Sequence, residues 1–154
     1  SKTNAMRILE QKGISYKEHI LDLKEAVDGV TCANMLGVTL ESTFKTLVTV
    51  GKSKNYYVFV VPVAETLSLK KAAAAVGEKN VEMIPMKDLL PTTGYIRGGC
   101  TSIGMKKQFP TYIQEDCILF DHIFISAGQR GLQIKINPND LINFVPAIEA
   151  DITT

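Results

Sequence analysis

Residues 56–63, YYVFVVPV, limit this chain more than any other segment. From Tyr57 to Val63 the run is apolar at successive positions, and neighbours on a strand point to opposite faces, so both faces are apolar. Such a strand has no side to turn to water and belongs in the middle of a sheet covered on both sides. Just upstream, FKTLVTV at 44–50 has a strand period, with Phe44, Thr46, Val48 and Val50 on one face and Lys45, Leu47 and Thr49 on the other. The turn-rich GKSKN joins the two runs as a hairpin whose loop is longer than the tightest kind.

The other elements follow from caps and periods. Thr3 caps a first helix over about residues 3–12, with Met6 and Leu9 on its apolar side and Gly13 as a left-handed stop. ISYKEHIL reads as a strand, and DGVTCANMLG as a helix opened by Asp28 and closed by Gly37. Ser68 caps the alanine-rich LKKAAAAVG, stopped by Gly77, and VEMIP and a short helical MKDLLP come next. TYIQ, HIFISAG and LQIKIN are closing strands before Asn137 and Pro138 open a last helix through about Phe144. There is no repeat, low-complexity tract or linker. Residues 2–154 are therefore expected to form one α/β domain with a strongly curved, barrel-like mixed sheet flanked by helices.

Composition excludes several classes of function. A chain of 154 residues, 45% hydrophobic and 21% charged, is long enough for one core and neither disordered nor fibrous. Its apolar runs fall short of the ~20 residues that span a bilayer. The start has no secretory pattern and no methionine, so Ser1 is read as a processing remnant and the chain as cytoplasmic and soluble, with no membrane partner. Three cysteines at wide spacings, Cys32, Cys100 and Cys117, suit neither a disulfide framework nor a zinc ribbon. A formal charge of +1 gives no global pull on nucleic acid, which leaves only local lysine pairs at 52/54, 70/71 and 106/107, against an acidic tail from Glu149 to Asp151.

Cofactor and metal signatures are missing. The GxG-like stretches lack the strand, turn and helix order of a dinucleotide fingerprint, and there is no phosphate loop. The two histidines, His19 and His122, sit in strand-like runs and form no ligand pair, so no cofactor and no metal are expected. Cys100 follows two glycines and is the candidate nucleophile, yet no histidine adjoins it, and a small cysteine is commonly packed as a hydrophobe. The glycines of TTGYIRGGCTSIG and SAGQRG either close tight turns or bring amide groups to an anion, as nests do. Lys45 shares a face with Leu47. If the hairpin is central, its ammonium reaches water along its own methylenes or meets an anion; at a sheet edge it would be ordinary.

FKTLV, YYVFVVPV, LKKAA, TGYIRGGCTSIGMKK and SAGQRGLQI, in this order, resemble the YbaK/EbsC family, single-domain relatives of the editing insertion of prolyl-tRNA synthetases. The resemblance runs through nearly the whole chain and implies a trans-acting editing factor that hydrolyses the ester of mischarged tRNA, Cys-tRNA(Pro) first. It places the essential lysine at Lys45, between pocket residues Phe44 and Thr46, the glycine pair at Gly98 and Gly99, and the S-x-G turn at Ser126 and Gly128, with Arg130 just beyond. Lys45 would anchor the acylated 3′-terminal adenosine, the glycine amides would face the ester carbonyl, and Ser126 would hydrogen-bond in the pocket. A substrate-assisted route is implied, in which the cysteinyl thiol attacks its own carbonyl, so neither a protein nucleophile nor a metal is required.

The implied partner is aminoacylated tRNA(Pro), chiefly its acceptor end, with prolyl-tRNA synthetase open as a second. One departure is Leu21, where some members carry an aromatic residue, which leaves alanine and serine esters open as substrates. A non-catalytic module docking on the synthetase or on tRNA is the reading of a different class.

Overall fold

The computed structural model describes residues 2–20 and 28–154. Among these residues eight strands form two sheets, a five-stranded one in the order β4-β2-β3-β5-β8 and a three-stranded one in the order β1-β7-β6. The hairpin is β2 (Phe44–Gly51) with β3 (Tyr56–Pro62), antiparallel with Phe44 opposite Pro62 and Val50 opposite Tyr56. β4 (Val81–Met83) extends it antiparallel on the β2 side. On the other side β5 (Thr111–Gln114) runs parallel to β3, and β8 (Ala147–Ala150) parallel to β5. The second sheet joins β1 (Tyr16–Ile20) to the hairpin of β6 (Ile123–Gln129) and β7 (Leu132–Ile136).

β3 lies in the middle of the larger sheet, as its two apolar faces demand. Tyr57, Phe59 and Val61 pack on one side with Leu67, Ala72, Ala73 and Ile152. On the other, Val58 packs with Val48, Tyr95 and Cys100, and Val60 joins Phe44, Ile113, Ile125 and Ile134. That last cluster is closed by Ala5, Met6 and Leu9 of α1 (Asn4–Gln11). Burying a side chain the size of Phe59 contributes roughly 1.5–3 kcal/mol, so the central strand is the anchor to which the hairpin residues are fixed.

The expected barrel is not there. Among the described residues neither sheet is closed, and the backbone bridge between them is Thr43 with Phe124. β1 takes the β7 edge of the β6–β7 hairpin, and the hairpin does not continue the larger sheet. The mixed α/β character stands.

The helix caps fall where side-chain chemistry puts them. Thr3 accepts the Met6 N–H at 3.2 Å, Asp28 opens α2 (Gly29–Leu36) by accepting the Thr31 N–H at 2.7 Å, and Ser68 opens α3 (Leu69–Val76) by accepting the Lys71 N–H at 3.1 Å. α4 (Met86–Thr93) runs past Pro91, where the sequence places its end. Only the last turn is affected, and there the Thr93 hydroxyl donates to the Leu89 carbonyl at 2.8 Å. α5 (Pro138–Phe144) starts from Asn137 as expected.

The acidic tail is an element in its own right. β8 is the outer strand of the larger sheet, Lys71 pairs with Asp151 at 2.9 Å, and Gln114 Oε1 accepts the N–H groups of Ile152 and Thr153 at 2.7 and 3.2 Å. Lys71 is thus a structural cation rather than part of a free basic patch. No helix among the described residues is long and apolar enough to cross a membrane.

Candidate active site

Lys45 occupies the β2 face that also carries Leu47, opposite Val61 of β3. It is half-buried, and Nζ donates to the Val63 carbonyl at 3.2 Å, just beyond the end of β3. α2 starts directly above, so close that a methyl group on Gly29 would overlap the Val63 side chain. Burial pulls the Lys45 pKa below the ordinary lysine value, opposed by the carboxylates of Asp28 and Glu65. The net direction is downward, so the carbonyl and the two carboxylates compensate the desolvated charge only in part. An anion arriving beside Nζ would complete the compensation.

A cavity of about 490 Å³ opens beside this lysine, a size suited to one aminoacyl nucleoside and not to a folded nucleic acid. Phe44, Lys45, Thr46, Gly98, Ser126 and Arg130 all line it. Six of the eight residues singled out in the sequence therefore meet there, from a strand, a loop and a hairpin that are far apart in the chain. Gly99 and Gly128 do not line the cavity; they shape the walls behind it.

Residues 96–99 make a tight turn in which the Gly99 N–H donates to the Ile96 carbonyl at 3.0 Å, with Gly98 at φ 86° in the third position, where a side chain would be strained. The Gly99 amide is thus already engaged, contrary to its expected part in facing the ester. A Cβ on Gly99 would lie 3.1 Å from Gln129 Cα, so the turn is seated directly on the β6–β7 hairpin. Arg130 latches it by donating from Nε to the Arg97 carbonyl at 3.1 Å. The Gly128 N–H is also taken, by Ser126 Oγ at 3.2 Å, at a register shift in β6. Ser126 accepts there and keeps its own proton to donate into the cavity. Of these glycine amides, that of Gly98 makes no hydrogen bond among the described residues.

Cys100 also lines the cavity but is buried among Val48, Val58, Ile84, Tyr95 and Phe109. Burial pushes its thiol up to about 12, so the thiolate is a negligible fraction at neutral pH. Cys100→Ala is expected to retain most of the parental turnover on any ester the protein cleaves. A folded but inactive variant, checked by circular dichroism, would bring back a protein thiol nucleophile.

Several lining residues carry no sequence signal that singles them out. Asp28 is legible only as a helix cap. Gln133 sits opposite Ser126 on one side and His19 on the other, and its Oε1 is buried with no hydrogen-bond partner among the described residues, while Nε2 approaches Cys32 Sγ at 3.6 Å. Met83, Met86 and Arg97 line the cavity while remaining exposed, which puts them at its mouth. Leu21, the expected departure in the pocket wall, lies outside the described residues.

Residues 24–144 match the model of a family described as "Aminoacyl-tRNA editing domain". The chain belongs to that family. It is 47% identical, over 99% of its length and 94% of the relative's, to a protein of Enterococcus faecalis named "Putative Cys-tRNA(Pro)/Cys-tRNA(Cys) deacylase EbsC". Among solved structures it is similar, with a TM-score of 0.86, 24% identity and coverage of 100% and 99% of the two chains, to one described as "Crystal structure of a putative trans-editing enzyme for prolyl tRNA synthetase". A second, "hypothetical protein APE2540", has a TM-score of 0.86 at 17% identity, covering 96% and 97%. At these identities the structures speak for the editing-domain fold alone, and the 47% relative carries the closer kinship.

Proposed function

We propose that residues 2–154 act as one unit, an aminoacyl-tRNA deacylase that clears cysteine from tRNA(Pro) in the cytoplasm. The observation that carries this reading is the half-buried Lys45 ammonium, incompletely compensated, on the wall of a cavity that also holds Gly98 and Ser126. The acylated 3′-terminal adenosine enters the cavity, Lys45 meets an oxygen of the nucleotide or of the ester, and Gly98 N–H and Ser126 O–H donate to the acyl group. The near-neutral charge fits a protein that grips chiefly the acceptor end, with the synthetase as a second partner for the tRNA body.

Among the described residues the two thiols that line the cavity, Cys32 and Cys100, are both pushed up by burial and stay protonated. The cysteinyl substrate supplies its own nucleophile. Its sulfur bonds to the ester carbonyl carbon, the carbon–oxygen bond to ribose breaks, and the proton lost by sulfur ends on the ribose oxygen, which leaves free tRNA and a four-membered thiolactone that water later opens. Holding sulfur and carbonyl in place can supply on the order of 7–11 kcal/mol of the barrier, so positioning and charge stabilisation suffice.

Comparing radiolabelled Cys-, Ser-, Ala- and Pro-tRNA(Pro) tests both the activity and the route. Cysteinyl ester is expected to decay fastest and seryl ester, with oxygen in place of sulfur, to be largely spared. Equal cleavage of the cysteinyl, seryl and alanyl esters would point to water attack, and no acceleration of any of them would remove the deacylase reading.

A further inference from the structure

We infer that the cavity mouth formed by Met83, Met86 and Arg97 is a binding platform for the unpaired nucleotides next to the terminal adenosine. This rests on the proposed reading that an aminoacyl-tRNA ester fills the cavity.

An ester in the cavity drags its polynucleotide with it, and a cavity of about 490 Å³ matches one aminoacyl nucleoside. The strand must leave through the mouth and lie on whatever borders it. Part of that border is apolar, where a solvent-facing rim would ordinarily be polar. Met83 and Met86 line the cavity while remaining 45% and 57% exposed. Leu90, one turn further along α4 on the Met86 face, and Ile96, at the start of the glycine turn, extend the exposed apolar surface.

These side chains are fixed at their roots. Met83 pairs across the sheet with Thr49, the next residue's N–H donates to the Val48 carbonyl at 3.0 Å, and Pro85 starts α4. The thioether ends stay free to adapt. Flexible, polarizable methionines suit nucleobase faces, which are aromatic, flat and variable in shape.

The charge at the mouth fits the same occupant. Among the described residues lining the cavity, Lys45, Arg97 and Arg130 are cationic and Asp28 alone is anionic. Arg97 is exposed, and its carbonyl is held by Arg130, so its side chain starts from a fixed point beside the apolar strip. Alternating apolar faces and cations are what single-stranded RNA requires: a surface for each base and a countercharge for each phosphate.

The test compares two substrates on one enzyme: full Cys-tRNA(Pro), and 3′-O-cysteinyl adenosine, which carries the same ester but no further nucleotide. Met83→Ser with Met86→Ser is expected to lower kcat/KM on the tRNA, chiefly through KM, by about tenfold more than on the short ester. The leucine double variant should recover most of that difference. Arg97→Gln should weaken tRNA use and flatten its dependence on salt. Equal losses on both substrates would mean that the methionines only shape the cavity, and no loss on either would mean that the strand leaves elsewhere; both overturn the inference. A parental protein inactive on both esters would instead strike the deacylase reading beneath it.

Discussion

Lys45→Ala is expected to lower kcat/KM for Cys-tRNA(Pro) by about 10²–10³-fold, the usual cost of losing a donor aimed at developing negative charge in a partly desolvated site. The fold should not suffer. Burial lowers the lysine pKa, so the folded protein holds the ammonium less readily than the unfolded chain does. Below the folded pKa this penalty is fully present; as pH rises through the folded pKa towards the ordinary lysine value, the unfolded chain binds more protons and stability increases. Lys45→Met, which keeps the methylenes and drops the charge, should therefore melt at or above the parental Tm at neutral pH while being just as inactive. Activity should run the other way, falling as pH rises through the folded pKa, below that of a free lysine. Lys45→Arg should not rescue, since a planar fork does not fit where a compact ammonium bonds the Val63 carbonyl. Thermal melts and single-turnover decay on the same preparations check all three.

Gly99→Val is expected to cost about 10²-fold in kcat/KM although Gly99 touches no part of the cavity. Even one Cβ there would sit 3.1 Å from Gln129 Cα and 3.2 Å from Arg130 N, both backbone atoms of a paired hairpin that cannot swing aside. The glycine turn would have to lift off, carrying Gly98 and the Arg97 carbonyl with it and breaking the Arg130 latch. A displacement near 1 Å of groups that position an acyl carbon is worth about two decades in rate. The stability loss should be modest, roughly 1–3 kcal/mol, as overpacking usually costs. Near-parental kcat/KM would show that the seating of the turn on the hairpin does not govern the chemistry.

Much of the fold was legible because its punctuation is local. Asp28, Gly37, Ser68, Gly77 and Asn137 mark helix ends through their own side chains or lack of one, and the doubly apolar β3 could sit only inside a sheet. The pairing of β1 with β7 is long-range, and no local signal in YKEHI separates it from a strand closing a barrel. β8 was missed because AIEA is short and largely exposed, and it is held by long-range pairing with β5, while Gln114 and Lys71 fix the residues just beyond it. In the cavity, Lys45 showed itself as a cation within an apolar strand. Gln133, Met83, Met86 and Arg97 had no comparable contrast with their neighbours and acquire meaning only once the two sheets face each other.

The most direct test of the lysine's part is a crystal structure with the hydrolysis-resistant 3′-cysteinylamino analogue of the terminal adenosine. Lys45 Nζ should move into hydrogen-bond reach, about 3 Å, of an acyl, ribose or phosphate oxygen of the analogue, with the acyl group beside Gly98 and Ser126. An analogue bound in the cavity with Nζ still held by Val63 alone, and no ligand oxygen near it, would contradict the role assigned to Lys45.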